Sequence, residues 1–344
     1  MGMKWIASVF LTSLISILIA AGTAWGTLAI YYSNLPGEGS RKILAAVFAS
    51  FGVVMLGWYL WATKWSRPLL VFSALFVLVL GWWLMIPPRQ NRNWAPEYAK
   101  LTYATINGDL ITIRNIRNFD YRTETDFTPR YYDKTFDLRN LDSVDVIASY
   151  WMGDAIAHIF LSFGFGGKDF LAISIETRRQ QHQGYSTIAG FFKQYELFYV
   201  VADERDLIRL RTNYRKDPPE NVYLYRTRSP AANARRLFLD YIREINSLAE
   251  KPEFYNALTT NCTTSILTHT RVNRGDVPLS WKILLSGYVP QYLYERAAID
   301  TSLPIEELKR RSHINAAGQA ADQAADFSQR IRIGLPNPPK LASR

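Results

Sequence analysis

Three stretches of the chain carry no charged residue: 5–32, 43–63 and 69–88. Each is close to or longer than the roughly 20 residues a helix needs to cross the hydrocarbon of a bilayer, so residues 1–88 are expected to form a membrane anchor of three transmembrane helices. Lys4 followed by an apolar run closing on small residues, Ala20 to Gly22, imitates a secretion signal, but the length of the run and the two later spans predict a retained anchor. Beyond residue 88 the pattern changes. A polar linker is expected over 89–100, and short alternating runs over 101–145, such as Leu110-Ile-Thr-Ile-Arg114, predict strands. Residues 155–165 and 170–176 alternate on either side of Gly166-Gly167-Lys168-Asp169 and predict a hairpin. A strand is expected at 197–201, a short helix at 203–212 and another strand at 222–226. Leu237, Phe238, Tyr241, Ile242, Ile245 and Leu248 recur at helical spacing after Pro230 and predict a helix to about residue 249. A second helix is expected to start at Asn261-Cys262. A globule outside the membrane is taken as 101–312, and 313–344, rich in Ala, Gln, Asp and Pro, as a polar tail that wraps the surface or is loosely ordered. The fold class is therefore α+β behind a helical anchor.

Composition sharpens the division. Of 40 Lys+Arg and 30 Asp+Glu, only Lys4, Arg41, Lys42, Lys64, Arg67 and Glu38 precede residue 89, while seven of the ten Trp lie there. The remaining 256 residues hold 35 basic and 29 acidic residues, enough chain for its own core. The net charge of +10 is dispersed rather than striped, so a nucleic-acid partner is not expected, and weak attraction to anionic head groups accounts for the excess. The spans contain no Asp, Glu, Lys, Arg or His, which argues against an ion path or proton relay. Trp58, Trp61, Trp65, Trp82 and Trp83 suit interfacial belts. Three spans place the N-terminus and the soluble part on opposite faces, but flanking charge leaves the orientation open: Lys4, Lys64 and Arg67 stand against Arg41, Lys42, Arg89 and Arg92.

One cysteine, Cys262, excludes an internal disulfide. With Asn261 as a helix cap, its sulfur lies in the first helical turn, where the helix end favours a thiolate, the reactive form. A hairpin turning on 166–168 pairs His158 with residue 175, 176 or 177, so Glu176 is the natural carboxylate to orient the imidazole. Asp154 or a backbone carbonyl remains an alternative holder. Cys262, His158 and Glu176 thus form a candidate nucleophile, base and acid for thiol acyl chemistry. Asn261, Arg178 and Arg179 are candidate substrate-binding residues, the arginines for a phosphate head group or an oxyanion. His182 reads as solvated, His269 lies two turns from Cys262, and His313 has no evident partner. No His, Cys, Asp or Glu spacing suits a metal, and there is no phosphate loop or dinucleotide fingerprint, so no cofactor is expected. Residues 277–294 carry one charge, Lys282, and form either core or an apolar lip near the membrane.

The stretches Gly190-Phe-Phe-Lys-Gln-Tyr-Glu-Leu-Phe-Tyr-Val200, Ala202-Asp-Glu-Arg-Asp-Leu207 and Tyr255-Asn-Ala-Leu-Thr-Thr-Asn-Cys-Thr-Thr264 resemble the Lnb N-terminal periplasmic domain family, named for a lipoprotein N-acyltransferase, over roughly 101–299. The order of His before Cys is also similar to the permuted papain-like (NlpC-type) fold of lecithin:retinol acyltransferase relatives. The resemblance implies a multi-pass protein of the bacterial inner membrane with its soluble domain in the periplasm, Cys262 as acyl-accepting nucleophile and His158 as base. It implies a phospholipid acyl donor and, as acceptor, a lipoprotein or other amine. The named acyltransferase carries its membrane part after this domain, whereas here three spans precede it. Two other readings stay open: a periplasmic cysteine peptidase or amidase acting on cell-wall peptide, and a non-catalytic lipid- or partner-binding module in which Cys262 is unreactive and remote from His158.

Overall fold

The computed structural model describes residues 2–273 and 277–336, which divide into two compact units, one of the described residues up to Arg89 together with Ser186–Tyr195, the other of Gln90–Tyr185 together with the described residues from Glu196 onward. In the first, the uncharged stretches form helices α1 (Gly2–Tyr31), α2 (Glu38–Trp61) and α3 (Ser66–Leu84), all three long and apolar enough to cross a membrane. Small residues let α1 and α2 approach: a Cβ on Gly26 would enter the Phe48 ring, and one on Gly52 would meet the Thr23 side chain, the close packing by which membrane helices associate. Ile19, Met55, Tyr59 and Phe72 close the inside. Phe10, Leu18, Val47, Val53 and Leu78 remain exposed, as lipid-facing positions do.

The second unit is mixed helix and sheet. Its strands are β1 (Tyr103–Asn107), β2 (Leu110–Arg117), β3 (Asp120–Tyr121), β4 (Phe127–Thr128), β5 (Tyr131–Asp137), β6 (Leu141–Tyr150), β7 (Ala157–Phe165), β8 (Asp169–Arg178), β9 (Glu196–Asp203) and β10 (Asn221–Arg226). The main sheet runs β1-β2-β9-β8-β7-β6-β10, with β5 also on β2. The β2–β9 pair is parallel and the others are antiparallel. The helices are α4 (Glu204–Arg209), continued by a π-helical turn Leu210–Tyr214, then α5 (Ala231–Glu250), α6 (Cys262–Thr270), α7 (Trp281–Leu284), α8 (Val289–Glu295), α9 (Ile305–Ser312), α10 (Asn315–Ala320) and α11 (Phe327–Arg330).

Alternation divides the sheet into two faces. On one, Phe163 and Phe165 meet Phe238 of α5 at 5.0 and 5.5 Å between ring centres, and Leu237, Tyr241, Ile242 and Ile245 complete the buried stripe of that helix. On the other, Phe160, Ala172, Phe198 and Val200 pack with Leu207, Ile314, Phe327 and Ile331. The last three belong to the segment expected to wrap the surface or hang loosely, and the structure corrects that expectation: Phe327 and Ile314 are wholly buried. The apolar residues are too widely spaced for their periodicity to show against the surrounding Ala, Gln and Asp. Residues 337–344 of that tail lie outside the described residues.

Arg332 fixes the tail electrostatically. It reaches Glu204 at 2.7 Å and Asp145 at 2.8 Å, both carboxylates being almost completely buried. Leaving a buried charge without its partner costs about 3–5 kcal/mol. Arg332→Met is therefore expected to destabilise the full chain by about that amount, read as a lower midpoint in chemical unfolding followed by near-ultraviolet circular dichroism; an unchanged midpoint would refute the anchoring role.

Candidate active site

Cys262 is the first residue of α6, and the loop before it fixes where that helix begins. Asn261 is extended, at φ −90 and ψ 179, and its Oδ1 accepts from the Thr263 and Thr264 amides at 3.0 and 2.9 Å, while Thr264 Oγ1 accepts from the Asn261 amide at 3.0 Å. This capping box satisfies donors that a helix start leaves orphaned. Asn261 is thereby committed to the helix rather than to a ligand. Cys262 is free and partly exposed.

His158 is the second residue of β7, and its imidazole is electrostatically coupled to the Cys262 thiol. The hairpin register runs through Ser162↔Ala172 and Leu161↔Ile173; carried three residues further it sets His158 against Glu176. The side chains meet accordingly, His158 Nε2 lying 3.1 Å from Glu176 Oε1. Ser174, fully buried on the same face of β8, joins them: its hydroxyl donates to Glu176 Oε1 at 2.7 Å and lies 2.6 Å from His158 Nε2. With Ser174 donating to the carboxylate, Nε2 is assigned the proton, and Nδ1 is the ring nitrogen left to face the sulfur. Asp154 takes no part, being paired with Lys309 at 3.1 Å and largely exposed.

Behind Glu176 stands Arg211, from the π-helical turn, at 3.1 Å from Oε1 and 3.7 Å from Glu220. Glu220 also binds Arg215 and the buried hydroxyl of Ser149, and Ser149 is the cross-strand neighbour of His158. A polar cavity of about 60 Å³ opens on this side of Glu176 among Arg179, Arg211, Arg215 and Glu124, large enough for one or two waters. Sequence reading missed both Ser174 and Arg211. The i, i+2 spacing of Ser174 and Glu176 is a usable signal once the strand is placed; Arg211 lies in a different element and has none.

The candidate arginines have other tasks. Arg178 is buried, donating to Gln90 Oε1 at 2.7 Å and to the Tyr98 carbonyl at 3.1 Å, with Trp94 stacked at 4.2 Å, so it braces the chain rather than awaiting an anion. Arg179 donates to the Tyr98 hydroxyl at 2.6 Å on the wall of the cavity. His269 is held by Asp240 at 2.8 Å and Tyr199 at 2.7 Å; burial pulls its pKa down despite Asp240, a structural histidine away from the sulfur. His182 is exposed and His313 packs on the Tyr223 ring. Among the described residues no group of His, Cys, Asp and Glu is arranged to hold a metal.

The electrostatics follow from burial opposed by pairing. Burial alone would depress the imidazole, but the Glu176 charge and the hydrogen bonds to Cys262 and Glu176 raise His158 to about 9. Burial would raise Glu176, yet His158 first and then Arg211 hold it well below the usual carboxylate range. For Cys262, burial is outweighed by the hydrogen bond and charge of His158 and by the Ile159 amide, so the thiol is lowered. The two shifts together move the pair toward the thiolate–imidazolium form. Because the folded pKa of His158 lies above its ordinary 6.5, its stabilising contribution is complete below that value and is lost as pH rises through about 9. That of Glu176 is present above its ordinary 4.5 and disappears on acidification through its lower folded value.

Alkylation of Cys262 by iodoacetamide should accordingly persist to lower pH than that of an ordinary thiol and fall on acidification. In His158→Ala the inflection should move up into the ordinary thiol range of about 8.5. Ser174→Ala, which keeps the ion pair but removes the hydroxyl bridge, should move it up by about one pH unit; identical profiles for all three proteins would exclude the coupling.

Comparison of the chain with curated proteins gives no match, nor does comparison with solved structures. The family model described as the Lnb N-terminal periplasmic domain matches residues 127–287. That stretch runs from β4 to the turn after α7 and includes His158, Ser174, Glu176, Arg211 and Cys262, so the cysteine, the histidine and the buried charges behind them all lie in the part of the chain that is similar to the Lnb N-terminal periplasmic domain.

Proposed function

We propose that the chain is a multi-pass protein of the bacterial inner membrane whose periplasmic domain is a cysteine acyltransferase. The observation that carries this reading is the set of His158, Ser174 and Glu176 in hydrogen-bond contact, with the His158 imidazole coupled to the Cys262 thiol at the start of α6. A histidine on a strand, preceding a cysteine at a helix start packed on that strand, is the arrangement of a permuted papain-like (NlpC-type) domain.

In the first half-reaction the Cys262 thiolate attacks the ester carbonyl of a phospholipid acyl chain. The carbonyl oxygen takes up the negative charge near the α6 start, where Asn261 already occupies the Thr263 and Thr264 amides and the Cys262 amide is the donor left to face it. Collapse breaks the ester bond, the imidazolium gives its proton to the departing lysophospholipid oxygen, and a thioester remains. In the second half an amine, such as the N-terminus of a lipoprotein, attacks the thioester. His158 accepts the amine proton, the carbon–sulfur bond breaks, and an amide and the thiolate–imidazolium pair result. Glu176 keeps the ring oriented and stabilises its charge in both halves.

An apolar edge beside the nucleophile supports a lipid donor over a cell-wall peptide. Thr263, next to Cys262, donates through Oγ1 to the Ile283 carbonyl at 2.8 Å. Around this contact Leu279, Trp281, Leu284 and Leu285 stay exposed, while Ile283 and Tyr292 fill the core beneath. Segment 277–294 is therefore core on one side and lip on the other. An amidase acting on cell-wall peptide would use the same cysteine but calls for a polar, water-accessible groove. A non-catalytic module gives no account of a thiol lowered by a histidine that a buried carboxylate holds in place.

The test is intact-mass analysis of the full chain from native membranes. Wild type is expected to carry an adduct of fatty-acyl mass that hydroxylamine removes, with Cys262→Ser and His158→Ala lacking it. Glu176→Gln should slow its appearance by about 10²–10⁴-fold. An unmodified wild type that transfers no acyl group from phospholipid vesicles would defeat the proposal.

A further inference from the structure

Residues Ser186–Tyr195 follow β8 in sequence and precede β9, yet they pack with the three helices. Lys193 closes the end of α3: its ammonium donates to the carbonyls of Trp83 and Leu84, each at 3.0 Å, and of Ile86 at 3.3 Å, and stands 4.6 Å from the Trp83 ring. A helix end leaves its last carbonyls short of amide partners, and a cation there is favoured by the backbone dipoles. The Gln194 side chain donates to the Tyr32 carbonyl just past α1. Phe192, buried, stacks on Tyr32 at 5.9 Å and lies 6.3 Å from Trp25, whose ring packs edge-on against Trp83 at 5.2 Å. The segment is clasped to the C-terminal ends of α1 and α3 together.

Those ends mark a level. The 19 residues of α3 rise about 28 Å, close to the roughly 30 Å of bilayer hydrocarbon, so Trp83 and Leu84 fall at its boundary. Trp25, Trp82 and Trp83 then belong to one aromatic belt. The clasped segment nevertheless turns apolar side chains outward at this level, Ile188 being 53% and Phe191 40% exposed.

We propose that Ser186–Tyr195 is an interfacial strap, with Ile188 and Phe191 seated among the lipid head groups around the ends of α1 and α3. Its partner is the bilayer surface, because the strap is fixed by the final carbonyls of helices that already meet lipid. The inference rests on α1–α3 spanning the membrane and is independent of any chemistry at Cys262. It makes the segment between β8 and β9 a second membrane attachment, apart from the chain entry at residue 89.

Cys262→Ser removes the only cysteine, so single cysteines introduced at Ile188, at Leu18 of α1 and at the exposed Lys216 can each carry an environment-sensitive fluorophore in the full chain, reconstituted in phosphatidylcholine vesicles. The label at residue 188 should emit to the blue of that at 216, be quenched more by a head-group or shallow acyl-chain nitroxide lipid than by a deep one, and be several-fold less quenched by iodide. Lys193→Gln in the same background should restore much of the iodide quenching at 188 without changing residue 18. A label at 188 as open to iodide as that at 216, with residue 18 still quenched by deep nitroxides, would overturn the strap while leaving the spans intact. Loss of deep quenching at residue 18 would overturn the spanning reading and the strap with it.

Discussion

A charge removed from water must find an opposite charge or a set of hydrogen bonds, and the soluble unit is organised by that requirement along one face of its sheet. Glu176 and Glu220 are both largely sequestered, and each is met by Arg211, at 3.1 and 3.7 Å. Arg215 and Ser149 complete the shell of Glu220, and Ser174 and His158 that of Glu176. The two carboxylates and two guanidiniums balance, and the imidazolium and thiolate at the far end balance each other. The row can therefore pass between the thiol–imidazole and thiolate–imidazolium forms without burying a net charge, and the direction is set by Glu176, which remains ionised in both. Removing any one member would leave its neighbour unpaired in a low-dielectric site, which costs more than the pair contributes when intact.

Arg211 explains why the turn after α4 departs from a regular helix. A π-helical turn admits one extra residue, and such turns recur at functional sites. Here it lets Arg211 lie over the Phe160 ring at 5.0 Å while donating to the Leu207 carbonyl and to Glu176. Its positive charge opposes that of His158, so the imidazole is stabilised by a carboxylate already shared with a guanidinium. Without that sharing, Glu176 would bind the imidazolium more tightly and hold the proton that the proposed leaving group needs. The geometry thus tempers the base as well as supporting it.

How much of this could be read beforehand depended on range along the chain. The hairpin at 166–168 is local, and its period of two carries information without loss, so counting back from the turn was enough to set His158 against Glu176. The Asn261-Cys262 start was equally local, since a cap and the three residues it serves are contiguous. Elements whose partners lie far away in sequence were not legible. Arg178 and Arg179 stand two and three positions after Glu176, yet Arg178 is taken up by Gln90 and Trp94 further along the strand, and it is Arg211, 35 residues on, that reaches the carboxylate. The tail failed for the same reason: Phe327 and Ile331 become core only because Leu207 and Ile208, more than a hundred positions earlier, offer them a surface.

The two sides of Glu176 also differ in their relation to water, and this bears on transfer against hydrolysis. Behind it the cavity is polar and wide enough for a water or two, so the carboxylate borders a polar space on that side. On the sulfur side, α6 begins against the α7 segment, whose outward residues Leu279, Trp281, Leu284 and Leu285 are apolar. A thioester on Cys262 would lie next to these, where an acyl chain is better accommodated than a water, while the charge on the base is maintained from behind by hydrated and ionic partners. Separating the hydration of the acid from that of the nucleophile would permit a buried ion pair to remain charged without exposing its thioester to hydrolysis. That division of the site, more than the identity of any one residue, is the physical ground for placing acyl transfer ahead of amide hydrolysis.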